Sequence, residues 1–201
     1  MIAPRAVLFD IGGAVDLEFA WEMAVDGAIA AACGMEGIRV DPQMVEEASD
    51  RAVAAFAPDT YAHMIESLCG GEPATIARVT ARVQAMTGAL DAFQLRPGID
   101  TLLRKLRELR IPLLALNLKA ERPELAGLFD GEIHLVPQDC VMVGDRLDKD
   151  IAPAKAKGMA TIQFRSGRWR RQRPRHAAEQ PDVVVTDVRE LETELLRLLR
   201  G

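Results

Sequence analysis

The segment Cys140-Val-Met-Val-Gly-Asp-Arg-Leu-Asp-Lys-Asp150 decides the fold class of this 201-residue chain, together with Ala6-Val-Leu-Phe-Asp-Ile-Gly-Gly13 near its start. Each segment opens with an apolar run typical of a buried parallel strand, and each run stops at an aspartate. In an open α/β sheet, the carboxyl ends of neighbouring strands form the crevice in which ligands bind. We therefore expect Asp10, Asp145 and Asp150 to converge there. Converging carboxylates repel one another unless a cation lies among them, and hard oxygen ligands favour Mg²⁺.

These two motifs resemble those of the haloacid dehalogenase superfamily of phosphatases and related hydrolases. The resemblance runs from Val7 to the C-terminus and is strongest over residues 141–167, where four residues separate Asp145 from Asp150. The apolar run 160–164 continues the family pattern. The resemblance implies an α/β fold, with a doubly wound, Rossmann-like parallel sheet and an inserted α-helical cap.

The composition is that of an ordinary soluble globular protein, with 49% hydrophobic and 27% charged residues. No apolar stretch approaches the length of a membrane span, and Asp10 interrupts the only hydrophobic run near the N-terminus. Neither a membrane segment nor a signal peptide is therefore expected. The three cysteines match no metal or redox spacing, which predicts reduced thiols in a cytoplasmic protein.

The charge is unevenly distributed, because residues 165–176 carry six arginines and no acid whereas the whole chain has a net charge of −5. This global acidity does not favour a nucleic-acid partner. The arginine loop follows the predicted strand 160–164, so its charges could draw anionic substrates towards the crevice, with Trp169 stacking on a base or a guanidinium. The alternative, which we favour, is a solvated loop that pairs with acidic residues elsewhere.

Helical signals dominate residues 16–94, which we interpret as the helical cap, inserted between core segments 1–15 and 95–201. Caps, prolines and glycines predict four helices: 17–33 ended by Gly34, then 41–57, 58–68 and 72–86. A plain helical bundle domain is the alternative, but it gives no reason for the flanking strands. In the core we predict strands at 111–116, 141–143, 160–164 and 183–185. Helices are predicted near 151–157 and 188–199. A further helix has an apolar face formed by Leu102, Leu103, Leu106 and Leu109.

The resemblance implies a role for each motif residue. Asp10 would be the nucleophile that forms an aspartyl-phosphate intermediate, and Asp145, Asp150, Asp10 itself and the Gly12 carbonyl would hold Mg²⁺. Asn117 and Lys119 are the candidates for binding phosphate. Simpler interpretations remain open: Asp10 could cap a turn, Asn117 could be a turn residue, and Lys119 could be a solvated surface lysine.

The chain also departs from the family pattern. Gly12 stands where a second aspartate usually acts as general acid, and Ala14 replaces the usual threonine. The lysine-proline-helix segment expected between Asn117 and Asp145 is missing, so Lys119 or Lys149 would have to supply a cation. We expect Asp148 and Lys149 to face solvent.

Two functions therefore remain. The first is a magnesium-dependent phosphatase that acts on a small phosphorylated substrate, impaired to the extent that its motifs are incomplete. The second is a catalytically inactive pseudoenzyme that acts as a binding or interaction protein. The missing helix should also leave apolar residues near Ile133, Leu135 and Val136 thinly covered, which predicts either reduced stability or self-association into a homo-oligomer through that flank.

Overall fold

The computed structural model describes residues 4–116, 121–132 and 134–200. The chain forms two compact units, of which one comprises Met1–Leu17 and Gln94–Gly201 and the other Glu18–Phe93. No helix among the described residues has the length and apolar character needed to cross a membrane.

The unit Glu18–Phe93 consists of four helices: α1 (Phe19–Met35), α2 (Pro42–Ala54), α3 (Thr60–Leu68) and α4 (Pro73–Thr87). Three of them begin at carboxylate caps, because the side chains of Asp41, Asp59 and Glu72 accept hydrogen bonds from amides of the first turn. Their apolar faces enclose a core that includes Ile29, Met64 and Val79. The helix α1 continues through Gly34 to Met35, so the predicted end at Gly34 is wrong.

The other unit is built on a parallel sheet with strand order β2-β1-β3-β4-β5. Its strands are β1 (Ala6–Phe9), β2 (Leu113–Ala115), β3 (Cys140–Gly144), β4 (Ala160–Phe164) and β5 (Val183–Val185). This confirms the predicted doubly wound α/β class. The strand β2 is shorter than the predicted strand 111–116, because only Leu113 to Ala115 pair with β1.

Three α-helices belong to this unit: α5 (Ile99–Glu108), α6 (Ala152–Ala156) and α7 (Val188–Arg200). A turn of π-helix, Leu147–Ile151, leads directly into α6. Leu102, Leu103 and Leu106 are buried on α5 as predicted, but Leu109 is 53% exposed. Leu109 is the C-cap residue of α5 and therefore does not extend the buried face.

The edge strand β2 is covered by the chain that follows it. Asp130 exchanges hydrogen bonds with Leu113, accepting the Leu113 amide on its carboxylate at 2.8 Å and donating its own amide to the Leu113 carbonyl at 2.7 Å. Such pairing protects an otherwise open sheet edge. The described residues 121–132 and 134–139 contain only short 3₁₀ turns. Val136 is 57% exposed, whereas Ile133 lies outside the described residues, and self-association through this flank stays a prediction.

Candidate active site

The three motif aspartates lie together at the carboxyl edge of the sheet. Asp10 directly follows β1 and donates its amide to the Val143 carbonyl of β3 at 2.8 Å. Asp145 directly follows β3, and Asp150 lies in the π-helical turn. One carboxylate oxygen from each aspartate lies within 4.8 Å of the other two.

The negative charges of Asp10 and Asp150 act on each other. Asp150 accepts the Arg146 amide at 2.8 Å, yet burial, followed by the negative charge of Asp10, raises the pKa of Asp150 to about 7. A cation among the three carboxylates would remove this repulsion. The donor set consists of hard oxygen ligands at the spacing of one small ion, and therefore fits Mg²⁺.

Two glycines make room for the carboxylates. Gly13 has φ +67°, and a Cβ on it would overlap the Asp145 carboxylate. A Cβ on Gly144 would lie 2.5 Å from the Asp150 carboxylate. The Gly12 carbonyl, a predicted metal ligand, accepts the Ala14 amide at 2.6 Å and retains a second lone pair.

Arg96, which belongs to neither aspartate motif, contacts the loop that carries Asp10. Its guanidinium donates to the Gly13 carbonyl and, at 2.7 Å, to Ser166 Oγ. Ser166 Oγ in turn donates to the same Gly13 carbonyl at 3.0 Å. The Arg96 guanidinium also lies over the Phe164 ring, 4.6 Å from its centroid. Its local sequence, Arg96-Pro97-Gly98, indicates only a turn.

A second set of contacts supports the loop between Asp145 and Asp150. Gln172 is almost fully buried, accepting the Leu147 amide at 2.7 Å and donating to Asp148 at 3.1 Å. Asp148 also pairs with Arg146 at 2.7 Å and is only 18% exposed, so the prediction that it faces solvent is wrong. Asp148 instead ties the loop between Asp145 and Asp150 to the arginine loop. Lys149 is exposed, as predicted.

The arginine loop is also more ordered than the favoured interpretation as a solvated loop allowed. Residues Arg168–Arg171 form a 3₁₀ turn in which Arg168 is only 8% exposed. The Arg146 guanidinium stacks on the Trp169 ring, with its central carbon 4.0 Å from the ring centroid. Arg175 pairs with the buried Glu179, which agrees with the expected acidic pairing. The exposed arginines of the loop are Arg170, Arg171, Arg173 and Arg175.

The two predicted phosphate-binding residues, Asn117 and Lys119, lie outside the described residues. Their roles stay predictions. The cationic side chains described beside the aspartate loops belong to Arg96 and Arg146, neither of which the sequence motifs had assigned to the site.

Comparisons with known proteins agree with this architecture. A family model described as HAD-hydrolase-like matches residues 113–191, which include β3, both motif aspartates of the second segment and the arginine loop. The glyceraldehyde 3-phosphate phosphatase of Methanopyrus kandleri is 44% identical over 55 residues. That match spans 27% of this chain and 24% of the phosphatase.

Two solved structures have similar folds over nearly their whole length. One is a predicted phosphoglycolate phosphatase from Haemophilus somnus 129pt, with a TM-score of 0.67 and 15% identity over 98% of this chain and 99% of that one. The other is a HAD family hydrolase from Deinococcus radiodurans with bound phosphate and sodium. Its TM-score is 0.64, and it is 17% identical over 98% of this chain and 97% of its own. The shared fold and the family match over residues 113–191 agree with the resemblance to the haloacid dehalogenase superfamily that the aspartate motifs indicate.

Proposed function

We propose that this protein is a magnesium-dependent phosphatase that hydrolyses a small phosphate ester through an aspartyl-phosphate on Asp10. The observation that carries the proposal is the convergence of the carboxylates of Asp10, Asp145 and Asp150 within 4.8 Å at the carboxyl edge of the sheet. The curated relative is a phosphatase, and the solved structure from Deinococcus radiodurans holds phosphate, which supports this substrate class.

Asp10 is half-buried and follows β1, which pairs with the central strand β3, and the motif that it belongs to assigns it the role of nucleophile. One of its oxygens would attack phosphorus while the bond from phosphorus to the ester oxygen breaks. Water would then hydrolyse the resulting acyl phosphate and regenerate the carboxylate. Asp145 and Asp150, with Asp10, would hold the Mg²⁺, whose charge offsets the repulsion between phosphate and carboxylates.

The leaving group determines how fast this reaction runs. Gly12 offers no proton, so the departing oxygen would have to take one from water. General acid catalysis typically contributes about 10²–10⁴-fold to such a step. We therefore expect esters with good leaving groups, such as aryl phosphates, to be hydrolysed much faster than alkyl phosphates.

Phosphate binding is assigned to the residues named by the motifs. Asn117 would donate hydrogen bonds to the phosphate oxygens, and Lys119 would add a positive charge. The charge of the exposed arginines 170, 171 and 173 would raise the local concentration of an anionic substrate.

The decisive experiment is turnover of an aryl phosphate with and without Mg²⁺, by the wild type and by Asp10→Asn. We expect magnesium-dependent release of phosphate by the wild type and loss of at least about 10³-fold in kcat for Asp10→Asn, because a carboxamide is not a nucleophile at phosphorus. Asp100→Asn, on helix α5, removes the same charge away from the cluster and should retain activity. A wild type that releases no phosphate, or an Asp10→Asn variant as active as the wild type, would overturn the proposal.

A further inference from the structure

Three donors from two distant segments converge on one backbone carbonyl beside the aspartate cluster. Arg96 Nε donates to the Gly13 carbonyl at 3.1 Å, Arg96 Nη2 donates to it as well, and Ser166 Oγ donates to it at 3.0 Å. The two side chains are themselves joined at 2.7 Å. We propose that Arg96 and Ser166 form a clamp, hereafter the Arg96–Ser166 clamp, that fixes the Asp10 loop against Asp145 and thereby sets the affinity of the site for Mg²⁺.

The clamp acts through Gly13, which lies between the two halves of the metal site. Gly13 belongs to the loop that carries Asp10, and its α-carbon lies directly against the Asp145 carboxylate. The hydrogen bonds within that loop are local, from the amides of Val15 and Asp16 to the Ile11 carbonyl. The Arg96 amide already donates to the Val15 carbonyl at 2.8 Å, and the clamp adds the side-chain bonds that link Gly13 to Ser166, just after β4.

An arginine is suited to this role for a geometric reason. Its planar guanidinium presents two parallel N–H groups to one carbonyl, and the face of the same plane lies on the Phe164 ring. A lysine would keep the charge but could neither donate in this forked manner nor stack in the same plane. Arg96 is therefore a positioning residue, since it acts on the metal ligands through Gly13 rather than by touching the substrate.

The size of the effect follows from other metal sites, where loss of a residue that orients the ligands costs about 10–100-fold in metal affinity. The inference rests on the proposed function only in assuming that the three aspartates bind Mg²⁺. It requires no assumption about catalysis, so metal binding can be measured separately from turnover.

The test is calorimetric titration of Mg²⁺ into the wild type and into Arg96→Gln, Arg96→Lys and Ser166→Ala. We expect the two Arg96 variants to bind Mg²⁺ at least about tenfold more weakly and Ser166→Ala to lose a smaller factor, since it removes one donor of three. Arg104→Gln, an exposed residue on α5, removes the same charge and should bind Mg²⁺ as the wild type does. At saturating Mg²⁺, kcat of the variants for an aryl phosphate should recover.

Each result decides the inference. If Arg96→Gln binds Mg²⁺ as tightly as the wild type does, the clamp is overturned. If Arg96→Lys does so, the forked geometry of the guanidinium is not needed, and the clamp is overturned in the form proposed here. If Arg96→Gln fails to fold, Ser166→Ala carries the test, because it removes a single hydroxyl. A wild type that binds Mg²⁺ without turnover would refute the phosphatase and leave the clamp testable, whereas a wild type that binds no Mg²⁺ would overturn both.

Discussion

Gly13 and Asp145, in the loops that follow β1 and β3, lie in direct contact, with no room for a side chain between them. Gly13 also adopts φ +67°, a left-handed conformation that L-residues with a Cβ disfavour. Glycine is therefore required here by both space and backbone conformation. A similar spatial constraint applies at Gly144, whose α-carbon faces the Asp150 carboxylate.

Gly144→Ala should weaken Mg²⁺ binding by displacing Asp150, because the new Cβ would lie 2.5 Å from the carboxylate. We expect the rise in melting temperature on adding Mg²⁺ to shrink or vanish in this variant. Gly131→Ala is the matched control, since a Cβ there meets no atom within 4 Å. An undiminished Mg²⁺ response in Gly144→Ala would show that Asp150 does not bind the ion.

The stability of the metal-free protein should depend on pH through Asp150. Its pKa of about 7 in the folded state lies above its ordinary value of 3.8, so the folded state holds the proton more tightly than the unfolded state. The proton on Asp150 therefore adds to the free energy of unfolding in full below pH 4, and this contribution is lost as the pH rises to 7. In the presence of a chelator at pH 8, Asp150→Asn should therefore melt at a higher temperature than the wild type.

Because Mg²⁺ binding requires the ionised carboxylate, the Mg²⁺-induced rise in melting temperature should be larger at pH 8 than at pH 6. The double variant Asp145→Asn, Asp150→Asn should lose this rise at both pH values. A double variant that responds to Mg²⁺ as the wild type does would refute the assignment of these two ligands.

Gly12→Asp should restore the missing general acid. Gly12 does not share the left-handed backbone of Gly13, so an aspartate can adopt its conformation. We expect kcat for an alkyl phosphate to rise by about 10–10³-fold, within the range of general acid catalysis, while kcat for an aryl phosphate changes little. Gly12→Asn supplies the size of the side chain without the proton and should leave both rates low. Equal effects on the two substrates would contradict the acid role.

The exposed arginines should matter for capture of the substrate rather than for folding. Changing Arg170, Arg171 and Arg173 together to alanine should raise KM for an aryl phosphate at low salt and leave kcat unchanged, and the difference should fade as salt screens the charges. Arg168 is left intact in this variant because it is buried. A KM that is unaltered at every salt concentration would show that the loop does not attract the substrate.

Most of the fold could be predicted from the sequence, because buried strands and capped helices are local patterns. The strands that carry Asp10 and Asp145, and the caps at Asp41 and Asp59, appear where hydrophobic runs and cap residues predict them. The exposure of Leu109 was missed because α5 ends just before it, and helix ends depend on tertiary contacts.

The supporting residues of the site could not be predicted in this way. Arg96 lies 83 positions from Gly13 along the chain, and Gln172 lies 25 positions from Leu147. Nothing in their local sequence distinguishes them from surface polar residues. Only the packing of the folded sheet brings them to the aspartate loops, whereas the aspartates themselves are marked by the strands that they follow.

The antiparallel bridge between Asp16 and Leu95 has a consequence for how this architecture can evolve. The Leu17 amide donates to the Gln94 carbonyl at 2.7 Å, so the chain leaves the sheet-containing unit and returns to it at a single point. The intervening 76 residues, Glu18–Phe93, enclose a hydrophobic core of their own. Because the insert has its own core and is joined to the rest of the chain at this one point, recombination here would replace it as a complete folding unit.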